Sequence, residues 1–277
     1  MKNGLLKKTI ATIIVGALSI MAVGCGSDSS SNGESTDKLT QIKEAGKLVV
    51  GMSADYAPYE YHALIDGKDQ IVGFDVDIAQ AIADDIGVEL ELKEMNFDSL
   101  CESVQLGKID MTISGMTPKP DRTKAVDFSD IYYKAEQGFL IQASNKDKYK
   151  SLSDLEGKKV GAQLGSIQAD IASEIKDADV KLLTDVNTLI LELKNGTIDA
   201  LIVELPVANL AASTNSELVV GEEIIQDEEG GSAIGMPKNS PELVEQVNST
   251  LKKLMDEGKI DEFVQKAVEQ VQNQIQE

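Results

Sequence analysis

The chain has 277 residues, with 47 acidic against 26 basic side chains, a formal net charge of −21 and a pI near 4.4. That balance argues against nucleic acid and anionic lipid surfaces as partners, since both repel an acidic protein. Two cysteines and a single histidine exclude a disulfide framework and supply no Cys/His cluster for a metal or cofactor site.

In chain order, Lys2, Lys7 and Lys8 make a basic start, an apolar run extends from Ile10 to Val23, and Ala22-Val23-Gly24-Cys25 closes it. This is the layout of a bacterial export signal over residues 1–24. Its apolar run falls short of the ~20 residues of a bilayer span. Small residues running straight into a cysteine resemble a lipobox, with Ala22 where leucine is commonest. The resemblance implies that Cys25 carries a lipid and becomes the mature N-terminus. Residues 25–37 have no apolar side chain after Cys25 and read as a flexible tether.

The body starts at Lys38. Leu48-Val49-Val50-Gly51 reads as a strand opening into a loop from Ser53 to Pro58. Gly73 to Gly87 has helical periodicity, with Phe74, Ile78, Ala81, Ile82 and Ile86 on one face. Val88, Leu90 and Leu92 alternate with acids as a half-buried strand. Asn96 is placed to cap a helix whose face is Phe97, Leu100, Cys101 and Val104, and Ile109 to Ser114 follows as a strand. Cys101 reads as a small core residue. The second half repeats the scheme: strand Lys159–Ala162, helix Ser166–Ile175, strand Val180–Leu183, a helix ended by Gly196, and strand Ala200–Val203. Alternation of this kind implies βαβ units and a mostly parallel sheet.

One echo links the halves. Gly107-Lys108-Ile109-Asp110-Met111-Thr112-Ile113 parallels Gly196-Thr197-Ile198-Asp199-Ala200-Leu201-Ile202. It makes Ser114-Gly115 and Val203-Glu204 comparable strand ends, where ligands of open α/β sheets bind. Ile234-Gly235-Met236 reads as a strand returning to the first half, and the tail as two helices split at Gly258.

From Leu48 to Val268 the chain resembles the polar amino acid-binding proteins of ABC importers, family 3 of the bacterial solute-binding proteins. GMSADYAPYEY at 51–61, GFDVDIAQAIA at 73–83, MNFDSL at 95–100, IDMTISGMTPKPDRTKAVDFSDIYY at 109–133, LEGKKVGAQLGS at 155–166 and IDALIVELPVA at 198–208 carry the resemblance. It implies a two-lobed, type II clamshell of the periplasmic-binding-protein kind. Lobe one is expected at 38–134 and 232–277, lobe two at 137–228, with two hinge crossovers. The expected partners are a free amino acid, the permease subunits of an importer, and the membrane through the lipid; the chain is expected to be a monomer without a cofactor.

Chemistry and resemblance then converge on a site. A ligand carboxylate favours a planar charged fork, and Arg122 is one of very few arginines here. The resemblance puts Arg122 on that carboxylate with Ser114, Gly115 and Thr117 nearby; the plainer alternative is a surface ion pair with Asp121 or Asp127. Ser166 and Ile167 open a helix whose free N–H groups suit an anion. Glu204 stands where the family usually carries Asp and would take the ammonium. Tyr56 and Phe97 match the rings that sandwich the ligand side chain. Ser53 occupies a position often held by Asp, which weakens the case for lysine or ornithine. Asp55, Glu60 and Gln168 leave a polar or cationic side chain open. The competing readings are a cleft enzyme resembling cyclohexadienyl dehydratase, and an amino acid sensor or adhesin.

Overall fold

A computed structural model describes residues 37–226 and 230–274. The export signal, Cys25 and all of the tether before Asp37 lie outside the described residues. Asp37 itself belongs to the body: its carboxylate accepts the Thr40 N–H at 2.9 Å and caps helix α1 (Lys38–Ala45).

Strand β1 (Lys47–Met52) leads to β2 (Asp55–Tyr56) and a hairpin of β3 (Glu60–Ile65) and β4 (Lys68–Val72), a small antiparallel sheet. Helix α2 (Phe74–Ile86) follows and buries Phe74, Ile78 and Ile82 completely, on the face its periodicity predicts. Strand β5 (Glu89–Glu94) and a 3₁₀ turn at Phe97–Ser99 lead into α3 (Leu100–Gln105), then β6 (Met111–Thr112), α4 (Arg122–Ala125) and β7 (Val126–Phe128). Asn96 makes no side-chain cap, because the chain enters α3 through the tighter turn. Strand β6 is shorter than expected for a local reason. Past Ile113, whose N–H donates to the Gly51 carbonyl at 3.3 Å, a side chain replaces the ladder: the Ser53 N–H donates to the Ser114 hydroxyl at 3.0 Å.

The chain then crosses to a second sheet. This half holds β8 (Gln137–Gln142), β9 (Lys159–Gln163), α5 (Ile167–Glu174), β10 (Asp179–Leu183), α6 (Val186–Lys194), β11 (Ala200–Glu204), α7 (Leu205–Thr214) and β12 (Leu218–Val220). It returns through β13 (Gly235–Pro237) to α8 (Pro241–Asp256) and α9 (Lys259–Gln274), which split at Gly258.

Both five-stranded sheets follow one plan. The first is ordered β5-β1-β6-β13-β7 and the second β10-β9-β11-β8-β12. Three parallel strands come first; the fourth place is filled by an antiparallel strand, β13 in one and β8 in the other. Each of these fourth strands follows directly on a crossover. The crossovers run side by side: Tyr132 N–H donates to the Ser232 carbonyl at 3.0 Å, Ser232 N–H to Tyr133 at 2.8 Å, and Gln137 pairs with Ile225. Gly231, at φ +104°, is needed there, since a Cβ would lie 2.3 Å from the Tyr133 carbonyl oxygen.

The repeated G-x-I-D segments now have a physical meaning. The Asp110 carboxylate accepts the Val49 N–H at 2.8 Å, and Asp199 accepts Lys159 N–H at 3.0 Å, so each aspartate secures the start of a central strand. Each isoleucine fills the space over a glycine of that strand. A Cβ on Gly51 would meet Ile109 Cδ1 at 2.4 Å, and one on Gly161 would meet Ile198 Cδ1 at 2.6 Å. The echo is therefore a packing device that aligns corresponding strand ends in the two lobes.

Candidate functional site

The carboxyl ends of the central strands of both sheets face one cleft. Lobe one contributes Ser53, Tyr56, Glu60, Phe97, Ser114 and Gly115, and lobe two contributes Gln163 and Gln168, around about 230 Å³ of empty space. Only about 10 Å³ of it could hold a solvent molecule, room for about one water, so the wall side chains nearly fill the closed cleft.

Arg122 is the single arginine of the chain and is buried. The first turn of α4 presents it to the cleft, where its carbon Cζ lies 5.0 Å from the centre of the Phe97 ring. One end of the guanidinium donates to the Thr117 carbonyl at 2.7 Å and the other to the Gly165 carbonyl at 2.8 Å. The second bond reaches lobe two. The ion-pair alternative is not what forms: Asp127 pairs with Lys238 at 2.7 Å and Asp121 lies 3.8 Å from Lys119. Burial pulls the guanidinium below its ordinary pKa, yet an arginine side chain remains charged.

Glu204 ends β11 and is also buried. The Tyr59 hydroxyl, from lobe one, donates to its carboxylate, and its own N–H donates to the Tyr56 hydroxyl oxygen at 3.1 Å. Burial, then the Glu204 charge, pushes the Tyr59 phenol well above its usual value, so it stays a donor. Neither Arg122 nor Glu204 is part of the cavity wall itself; each contacts a wall ring, Phe97 for one and Tyr56 for the other.

Asp55 reaches across the cleft. Its carboxylate accepts the Ser53 hydroxyl at 2.8 Å, the Val186 N–H at 2.7 Å and the Gln163 amide at 3.2 Å. Val186 opens α6 in lobe two, capped by Asp185, so Asp55 accepts the first N–H of a helix of the opposite lobe. Burial raises its pKa to about 6. Ser166 caps α5: its hydroxyl accepts the Ala169 N–H at 3.1 Å and donates to the Gln163 carbonyl at 2.7 Å. Ile167, half-buried, is the first residue of α5. The Gly115 N–H, expected near a ligand, donates to Asp75 at 2.8 Å. Lys119 meets Asp170 at 2.9 Å across the lobes. These contacts join the lobes in a closed arrangement.

Sequence reasoning missed Gln163 as a wall residue. Its signal was a polar side chain at the end of a strand otherwise reading Val160-Gly161-Ala162. It also missed Tyr59 and Asp75, both fully buried. Cys101 packs against the cluster of Phe97, Leu100 and Val104, with its sulfur 3.4 Å from that of Met116.

The sequence profile of the bacterial extracellular solute-binding proteins, family 3, matches residues 48–270. The chain belongs to that family. Among its relatives, the arginine-binding extracellular protein ArtP of Bacillus subtilis is 38% identical over 270 residues, covering 94% of this chain and 98% of its own. A probable histidine-binding protein of Campylobacter jejuni is 33% identical over 93% of this chain and 96% of its own. The solved structure of the amino acid ABC transporter substrate-binding protein AbpA of Streptococcus pneumoniae, bound to L-arginine, is 41% identical and superposes with a TM-score of 0.80. It covers 84% of this chain and 98% of its own. These family 3 relatives are binding proteins, and family 3 is an extracellular family, which puts the folded body outside the cytoplasm.

Proposed function

We propose that this chain captures a free cationic amino acid, arginine foremost, between its lobes and presents it to the permease of an ABC importer. The observation that carries the reading is the charge of the cleft. Glu60 forms part of its wall and Asp55, Asp75 and Glu204, all buried, stand behind that wall, against the one guanidinium of Arg122. A carboxylate ligand needs that guanidinium, and the excess of acid favours a ligand that brings two cationic groups. The names of the relatives point the same way.

In this reading the ligand carboxylate takes over the Arg122 donors now held by the Thr117 and Gly165 carbonyls. The ammonium goes to Glu204, and the side chain lies between Tyr56 and Phe97 with Ser53, Ser114 and the start of α5 around it. Residues 38–134 with 232–277 form one rigid lobe and 137–228 the other, and the paired crossovers flex between them. Closure is favoured because groups of both lobes meet the same ligand. The body is a monomer held at the membrane by a lipid on Cys25.

A thermal-shift series over the free amino acids tests this, because a ligand of the folded state raises the melting temperature. Arginine is expected to give the largest shift, with glutamine, lysine and histidine behind it. A larger shift with an acidic or apolar amino acid would refute the reading. Turnover of prephenate would favour the dehydratase alternative instead.

A further inference from the structure

Two carboxyl groups at the cleft remain outside the binding scheme above. Glu60 begins β3 and Asp75 lies in the first turn of α2; both are fully buried. One oxygen of each is satisfied. Ser114 donates its hydroxyl to Glu60 Oε1, while the Gly115 N–H at 2.8 Å and the Tyr132 hydroxyl at 2.9 Å donate to Asp75 Oδ2. The other oxygens, Glu60 Oε2 and Asp75 Oδ1, find no donor among the described residues. The donors Ser114 and Gly115 are consecutive residues, which sets the two carboxyl groups side by side. Two ionised carboxylates so placed in a dry interior repel, and both orphan oxygens would carry the full cost of desolvation. A single proton between them removes both penalties.

We propose that Glu60 and Asp75 hold one proton between them in the ligand-free protein, and that a cationic amino acid binding against Glu60 drives that proton into solvent. This rests on the reading of the ligand as a cation.

The surroundings of the pair give the direction. Glu60 forms part of the cavity wall, whereas Asp75 does not, so Glu60 is the member that meets the ligand. Asp55 and Tyr56 face the pair from β2 and Tyr132 from the first crossover, with Tyr59 and Glu204, bonded to each other, beyond Tyr56. Every one of these is neutral or negative. The guanidinium of Arg122 is directed to the Thr117 and Gly165 carbonyls. Burial, then the neighbouring acids, raises Glu60 well above the carboxylate range, and burial raises Asp75. A guanidinium or ammonium arriving at the wall reverses the local field and favours the ionised form. The O–H bond of the carboxylic acid breaks, the proton passes to a buffer base, and the ligand cation becomes the partner of the freed oxygen. Ligand affinity then rises with pH, by up to about tenfold per unit if one whole proton leaves. An uncharged amino acid produces no such slope.

Two measurements on the purified protein decide it. Calorimetry with L-arginine at pH 7, in phosphate and in Tris, is expected to show buffer-dependent heats equal to about one proton released. Infrared difference spectra are expected to show a protonated-carboxyl carbonyl band in the ligand-free protein that arginine abolishes. Glu60→Gln should lose both the band and the proton release, and its preference for arginine over glutamine should fall at least tenfold. Asp75→Asn, which keeps Glu60 but removes its acid neighbour, should shift the band and lower the pH at which arginine affinity stops rising. The absence of a carboxylic acid band before ligand, or arginine heats equal in the two buffers, would overturn the proposal. No arginine heat at all would sink the reading of the ligand and with it the second half of the proposal, while the band still decides the shared proton.

Discussion

Gly165→Ala separates the stability of the protein from the energy of closing it. Gly165 lies in lobe two, directly before the cap of α5, at φ +80°. An L side chain in that conformation costs about 1–2 kcal/mol, whether the lobes are open or closed. At about 2–4 °C per kcal/mol for a body of this size, the melting temperature of the free variant should fall by a few degrees. A second cost arises only on closure. The new Cβ would stand 2.9 Å from Asp98 Cβ and 3.2 Å from Asp98 Cα, both in lobe one. Much of that contact is with backbone, so the lobes must separate by some tenths of an ångström, which also stretches the 2.8 Å bond from Arg122 to the Gly165 carbonyl. Overpacking of this kind costs about 1–3 kcal/mol, and with tenfold per about 1.4 kcal/mol the dissociation constant for arginine should rise about 5- to 140-fold. Calorimetric titration gives that number, and small-angle scattering of the loaded variant should show a larger radius than the loaded parent. An unchanged affinity alongside the lowered melting temperature would mean that the Gly165–Asp98 contact plays no part in ligand capture.

Arg122→Ala should weaken arginine binding by at least about 30-fold, since truncating one partner of a buried charge pair costs roughly 2–5 kcal/mol. Arg122→Lys should recover only part of it, because an ammonium lacks the fork; equal affinities for parent and Arg122→Ala would remove Arg122 from the site. Tyr59→Phe keeps the packing of its ring 4.4 Å from Phe74 but loses the hydroxyl that reaches Glu204 across the cleft. Its folding should be near that of the parent, and its ligand affinity about 3- to 15-fold lower for a bond of ~1 kcal/mol or a little more, read by titration. The ligand-free protein should melt at a higher temperature at pH 5 than at pH 8. The Asp75 pKa is raised to about 7 by burial, so its proton favours the folded state: that stabilisation is complete below the ordinary carboxylate value of about 4 and drains away as pH climbs to about 7. Asp75→Asn should flatten that part of the slope, as seen by scanning calorimetry.

Much of the fold could be read along the chain because its determinants are local. The face of α2, the capping of α5 by Ser166, the break at Gly258 and the return strand β13 all come from spacing within a dozen residues. The G-x-I-D echo also marked the right strand ends, although its cause, an aspartate holding a strand and an isoleucine over a glycine, needed coordinates. Individual roles in the site were harder to read. Asp55 lies shortly after β1, and its spacing says nothing of a partner in the other lobe. Its actual partners include Val186, 131 residues away. No local pattern encodes that distance.

The same holds for the contacts that make closure possible. Tyr59 and Glu204 are 145 residues apart, and Arg122 and Gly165 are 43 apart. Each bond joins a strand end or loop of one lobe to its counterpart in the other. A residue in such a position serves two masters: its partner in the closed, empty cleft and the ligand that replaces it. In the proposed scheme a ligand carboxylate displaces the carbonyls now on Arg122, and the closed form holds its guanidinium ready at little cost in reorganisation. Affinity is measured from the open, ligand-free lobes, so a substitution that burdens only the closed arrangement lowers it. This is why Gly165→Ala is the sharper probe: it burdens the closed arrangement while leaving the Arg122 guanidinium and the Glu204 carboxylate in place.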